Sequence, residues 1–89
     1  MLYQNYPNPF NAGTQIKFEV TARGLVSLTV YNLLGKEVAM LLNEEKERGL
    51  YSVHWDGKDH DGKELSSGIY FYRLTMGTAN EVRKLLFLK

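Results

Sequence analysis

The residues able to do chemistry crowd into one stretch, His54 to Ser67, which holds His54, Asp56, Asp59, His60, Asp61, Ser66 and Ser67. Asp56, Asp59 and Asp61 supply oxygen ligands of the kind a hard cation such as calcium takes. The calcium-loop pattern D-x-[DN]-x-[DN]-G is only partly met. Asp59, Asp61 and Gly62 fit, but Gly57 stands where the first ligand belongs, and the closing bidentate acid would fall on Gly68. An ordinary acidic turn therefore stands beside the cation site as the favoured reading. His54 and His60 are residue types for zinc ligation or proton transfer. Their spacing matches no zinc signature, and the chain has no cysteine to complete one. Ser66 and Ser67 precede a glycine yet lack the G-x-S-x-G frame of a nucleophile elbow. No nucleophile, base and orienting group converge in this sequence, so the expectation is a protein that is not an enzyme and needs no cofactor.

A second chemistry is open to the aromatic side chains, six Tyr, four Phe and one Trp. A row of exposed rings on a sheet can stack on sugars. Trp55, Tyr70 and Tyr72 belong to faces assigned to the core, which leaves Tyr31, Tyr3 and Tyr51 as candidates. Core packing, with hydroxyls bonded at the rim, is the simpler role.

These residues must be positioned by a single domain, because 89 residues leave no room for a second core. With 11 basic against 10 acidic side chains and no run of one sign, the chain lacks the basic stripe that nucleic acid demands. The fold has no disulfide to lean on. No apolar run reaches membrane-spanning length, and the N-terminus lacks the basic-then-apolar order of a signal peptide. Met1 runs directly into patterned sequence, which suggests a domain excised from a larger protein.

The organising stretch is Gly68 to Gly77, GIYFYRLTMG. Tyr70, Tyr72, Leu74 and Met76 form its core face, while Ile69, Phe71, Arg73 and Thr75 form the other. Apolar groups on both parities predict a central strand covered on both sides. Upstream, Pro7 and Pro9 forbid a helix and predict a stiff extended arm over residues 2–11, suited to a sheet edge, with Leu2, Tyr3, Tyr6 and Phe10 as its apolar contacts. Ile16, Phe18 and Val20 alternate with Lys17 and Glu19; Val26, Leu28 and Val30 repeat the pattern. Asn32 to Gly35 reads as a hairpin turn. Lys36 to Arg48 is rich in helix formers, but Val38, Met40 and Leu42 alternate. A strand over Glu37 to Leu42 followed by a loop is expected, since tertiary context overrides propensity. Tyr51, Val53 and Trp55 mark another strand, and DGKDHDG a turn. Lys63 to Ser67 is at most a short strand. In the closing NEVRKLLFLK, Leu85 to Leu88 run without a break, so the inward parity is open, with Leu86 and Leu88 expected to close the core. The sum is an all-β, antiparallel sandwich of about seven strands.

The chain resembles a known family at several points in order. L-Y-Q-N-Y-P-N-P-F-N at residues 2–11 with Thr14 comes first, then V-S-L-T-V-Y-N-L-L-G-K-E-V at 26–38 and W-D-G at 55–57. Gly62, S-G-I-Y-F-Y-R-L at 67–74 and R-K-L-L-F-L-K at 83–89 complete the set. These are similar to the C-terminal sorting domain of the type IX secretion system. The related Ig-like domain of the flagellar hook-capping scaffold shares the W-D-G and G-x-Y portions. Ala12 and Gly13 depart from the family's usual Pro-Ser, which loosens the first turn, and Glu44 to Arg48 is more helix-prone than the family's loop.

The resemblance implies an Ig-like or fibronectin-III-like sandwich, residues 1–89 forming one sorting domain excised from a larger secreted protein. It implies a C-terminal signal that takes a preceding, covalently joined cargo through the periplasm and outer membrane to the cell surface or medium. The implied partners are the outer-membrane translocon and a surface-processing protease. Carried over by similarity, the recognition residues are Gly68, Tyr70, Lys84, Leu86 and Lys89. The terminal strand would offer an open edge for strand addition, with lysines guarding against self-pairing. The alternative reading is a carbohydrate-binding module, or a passive Ig-like spacer, of a secreted glycan-degrading enzyme.

Overall fold

A computed structural model describes every residue from Met1 to Lys89, and its regular structure is all strand. The order is β1 (Thr14–Val20), β2 (Gly24–Tyr31), β3 (Glu37–Lys46), β4 (Gly49–Trp55), β5 (Gly68–Met76) and β6 (Ala79–Phe87). β1 pairs with β4 in one sheet, and the other runs β3-β2-β5-β6, all antiparallel. β5 therefore lies inside the larger sheet, as its aromatic content predicts. Six strands form where about seven were expected. The N-terminal arm stands in for a further one, touching β1 through Leu2–Phe18 and Tyr6–Gln15 bridges and β6 through a parallel Phe10–Phe87 bridge.

Alternation dictates which side chains meet between the sheets. β1 alternates without fault, burying Thr14, Ile16, Phe18 and Val20 and exposing Gln15, Lys17 and Glu19. Opposite them lie Val26, Leu28 and Val30 of β2, Tyr70, Tyr72 and Leu74 of β5, and Leu85 and Phe87 of β6. Trp55, at the end of β4, packs edge-on against Tyr70 at 5.9 Å and tilts against Phe10 at 5.5 Å. Phe10 in turn stacks on Phe87 at 4.9 Å. This aromatic group closes one end of the sandwich.

Four expectations are corrected here. β3 does not stop at Leu42 but continues to Lys46, because Asn43, Glu44, Glu45 and Lys46 complete the ladder with Ser27, Val26, Leu25 and Gly24. Helix propensity worth a few tenths of a kcal/mol per residue yields to a paired strand. β5 is covered on one face only: Tyr70, Tyr72 and Leu74 are buried, while Ile69 is exposed and Phe71 half-buried. Leu86 and Leu88 do not close the core; Leu85 and Phe87 do, through a β5–β6 register that runs unbroken from Gly68–Phe87 to Met76–Ala79. In the arm, Leu2 and Phe10 are buried as expected, but Tyr3 and Tyr6 face solvent. Residues 63–67, expected to be at most a short strand, hold only the Glu64 end of a Lys58–Glu64 bridge, within that expectation.

Turn chemistry follows the sequence. Asn32 Oδ1 accepts from the Leu34 and Lys36 amides, both at 3.0 Å, and Gly35 takes a φ of 81° that favours glycine. Gly57, in the W-D-G segment, combines a φ of 80° with a tight approach. A Cβ there would sit 2.9 Å from the Phe87 ring.

Candidate functional site

The acidic stretch is a turn. Asp59 Oδ1 accepts from the Asp61 amide at 2.9 Å and the Lys63 amide at 3.0 Å, and Asp56 Oδ1 from the Lys58 amide at 3.1 Å. The Lys63 N–H is the main reason the Asp59 carboxyl falls below its usual range of about 3.8. No three His, Asp or Glu side chains converge as metal ligands. His54 lies on the outer face of β4 beside Gln15, with Nδ1 3.0 Å from Gln15 Nε2. His60 stands near Glu37 at 3.5 Å, far along the loop, so the two histidines form no pair. Ser66 and Ser67 serve the chain itself: the Ser66 carbonyl accepts from Tyr70, and Ser67 Oγ from the Lys89 amide.

The tyrosine candidates divide. Tyr51 stacks on Phe18 at 5.6 Å and donates its hydroxyl to the Glu47 carbonyl, and Tyr31 lies under the Arg73 guanidinium at 5.2 Å. Both rings are engaged in the fold. Tyr3 remains partly open, and Tyr6, which sequence reasoning placed among apolar contacts, is the most exposed ring.

The residues carried over by resemblance lie close together at the β5–β6 hairpin's outer end but do different things. Gly68 opens β5 with a φ of 155°, rarely adopted by other residues, and pairs with Phe87. Tyr70 is buried against Trp55, and its hydroxyl donates to the Ser66 carbonyl at 2.7 Å. A buried ring held in this way is not a surface that a partner touches. Lys84 and Leu86 face outward from β6, and Lys89 follows it, exposed.

The edge of β6, expected to be open for strand addition, is occupied. Phe10 N–H donates to the Leu86 carbonyl at 3.1 Å, and Leu88 N–H to the Phe10 carbonyl at 2.9 Å. Leu86 N–H donates to Asn8 Oδ1, and Gln4 Nε2 to the Lys84 carbonyl. Further along, Arg83 Nε donates to the Leu2 carbonyl at 2.7 Å, and Leu2 N–H to Glu81 at 3.1 Å. Burial of Leu2 and Phe10 is worth roughly 1.5–3 kcal/mol each, so the arm is not shed cheaply. These contacts also explain the opening motif. Asn5 bonds Thr14 and the Pro7 carbonyl, and its amide donates to Tyr72. Proline spacing showed an extended arm, but nothing in the local pattern showed that it would cross to the last strand.

What remains open is a face. Ile69 lies opposite Leu86, Phe71 opposite Lys84 and Arg73 opposite Val82, all turned away from the core. Val82 is 48% exposed and Ile69 37%. The charged groups on this part of the sheet are Arg73 and Lys84, both cationic. Beside them, Leu33 projects from the β2–β3 turn, 65% exposed.

Comparison with solved structures finds the same architecture in proteins of distant sequence. PorZ, described as an essential surface component of the type IX secretion system of Porphyromonas gingivalis, aligns at a TM-score of 0.67 and 18% identity over 99% of this chain. Latent dimeric PorU from Porphyromonas gingivalis aligns at 0.75 and 16% over 98%. FlgD from P. aeruginosa aligns at 0.65 and 22% over 83%. The chain spans only 11% of the PorZ chain and 9% of the PorU chain, against 57% of FlgD. No curated relative matches the sequence. A family model described as the secretion system C-terminal sorting domain matches residues 4–88, essentially the whole fold, and the chain belongs to that family.

Proposed function

We propose that this domain is a non-catalytic C-terminal signal that sends a preceding cargo through the type IX system to the cell surface or medium. A translocon component reads the outer face of β5 and β6, and a surface protease then acts on the exported protein. Residues 1–89 act as one unit at the end of a larger secreted polypeptide. The observation that carries this reading is the uncovered strip Ile69, Phe71, Val82 and Leu86 with Arg73 and Lys84 as its charges. It fits an apolar partner surface with acidic groups. Gly68 and Tyr70 act on recognition through the fold, by setting the start of β5 and the aromatic end of the core.

Deleting Lys84–Lys89 would not test this, because it removes buried Leu85 and Phe87 along with the outer face. The informative variant is Lys84→Glu with Leu86→Ser in a reporter fused to residues 2–89. Both side chains point outward, so the melting temperature should hold while the reporter stays in the periplasm of a host bearing the translocon. Undiminished export of that variant would remove the outer face from recognition. Failure of the unaltered fusion to leave the cell would remove the sorting function, and a passive spacer would be left.

A further inference from the structure

On the opposite side of the sandwich, the arm and the β1–β4 sheet enclose a groove of about 610 Å³, within the size range of small-molecule sites. We infer that this groove, with Tyr3 and Tyr6 as its walls and Gln15, Lys17, Leu50 and Ser52 along it, is a binding site for an oligosaccharide. The inference does not rest on the sorting role and uses none of its residues.

Three observations point to sugar. First, the rings are exposed on a rigid base. Tyr6 is 81% exposed, yet its N–H donates to the Gln15 carbonyl at 3.0 Å and its carbonyl accepts from Gln15 N–H at 2.9 Å. Tyr3 donates its N–H to the Lys17 carbonyl at 3.0 Å, and its own carbonyl accepts from Tyr72. A tyrosine fixed at its backbone presents a large amphipathic surface with little side-chain freedom to lose on binding. Pyranose rings offer matching apolar C–H faces.

Second, apart from Lys17 the polar lining consists of uncharged groups, two of them oriented by hydrogen bonds. Ser52 Oγ donates to Gln15 Oε1 at 3.0 Å, and Gln15 Nε2 meets His54 Nδ1 at 3.0 Å. Such amide and hydroxyl groups exchange hydrogen bonds with sugar hydroxyls. Third, other occupants fit poorly. The arm, Met1 included, and β1 exchange four backbone hydrogen bonds, so a peptide strand cannot insert between them in the groove. No carboxylate lines the groove, which disfavours a cation. Lys17 is its single charge and makes no ion pair within the protein.

Neutral and acidic glycans share this chemistry, and Lys17 separates them. The test is a titration of the ¹⁵N-labelled domain with cellohexaose, mannohexaose and hexagalacturonate at millimolar concentration. Saturable shifts are expected at the amides of Tyr3, Tyr6, Gln15 and Ser52 with at least one of them. Tyr6→Ala should weaken that binding about tenfold, equivalent to roughly 1.4 kcal/mol, without moving the melting temperature. Lys17→Gln should weaken hexagalacturonate alone if the ligand is acidic, and leave cellohexaose and mannohexaose binding unchanged if it is neutral. Silence with all three sugars overturns the inference, as do shifts that survive Tyr3→Ala with Tyr6→Ala.

Discussion

Tyr72 ties the arm to the larger sheet with one hydroxyl, donating to the Tyr3 carbonyl and accepting from the Asn5 amide, both at 2.8 Å. Tyr72→Phe keeps the buried ring but leaves two backbone groups without this partner. The expected cost is about 1–3 kcal/mol, readable as a lower midpoint in urea. Burial raises the Tyr72 phenol above its ordinary 10.0, against the opposing pull of the Asn5 N–H and the Arg83 charge. The folded state thus favours the neutral phenol. Its contribution is complete below the unfolded value and is lost as pH rises through the folded one. The melting temperature should therefore fall above about pH 10 more steeply in the parent than in Tyr72→Phe. Gly57→Ala is a second residue-scale case. It places a methyl 2.9 Å from Phe87 at a φ of 80°, and strain of about 1–3 kcal/mol is expected as a matching loss in the urea midpoint.

Among the elements, β1 was legible from Gln15 to Val20, because alternation needs no knowledge of the partner strand; only buried Thr14 at its start was missed. β6 was not, since Leu85, Leu86, Phe87 and Leu88 satisfy either parity. The decision comes from outside the strand: Phe10 stacks on Phe87, and pairing with β5 sets Leu85 beside buried Tyr70. β3 was half legible, because Glu44, Glu45 and Lys46 suit an exposed helix as well as an exposed strand end. Only the ladder to β2 separates the two. The candidate site shows the same division. Motif resemblance reached Lys84 and Leu86, and alternation put Tyr70 on the core face where it is buried, but only the fold shows that the arm takes the β6 edge. Phe10→Ala should consequently cost roughly 3–5 kcal/mol in chemical denaturation, the scale of a core aromatic. It should also loosen the bonds that Phe10 makes to Leu86 and Leu88. Faster amide exchange at Leu88 than at Leu74 would report that local release.

For the whole molecule, the two ends of the chain meet. The arm completes the edge of the last strand, so the fold closes only when residues 2–10 and β6 are both in place. If the proposed outer face of β5 and β6 is the signal, it belongs to the folded domain rather than to a linear tail. A domain with a typical stability of roughly 5–15 kcal/mol loses a large share of it to one core truncation. Phe10→Ala, Tyr72→Phe and Phe87→Ala should thus reduce export of a fused reporter in the order in which they lower the melting temperature. Lys84→Glu with Leu86→Ser should depart from that trend, abolishing export at nearly parental stability. Measured together, secretion and melting temperature separate a signal that must fold from one that is read as sequence. Full export of the reporter with Phe87→Ala, in a domain shown to be unfolded, would demand the linear reading.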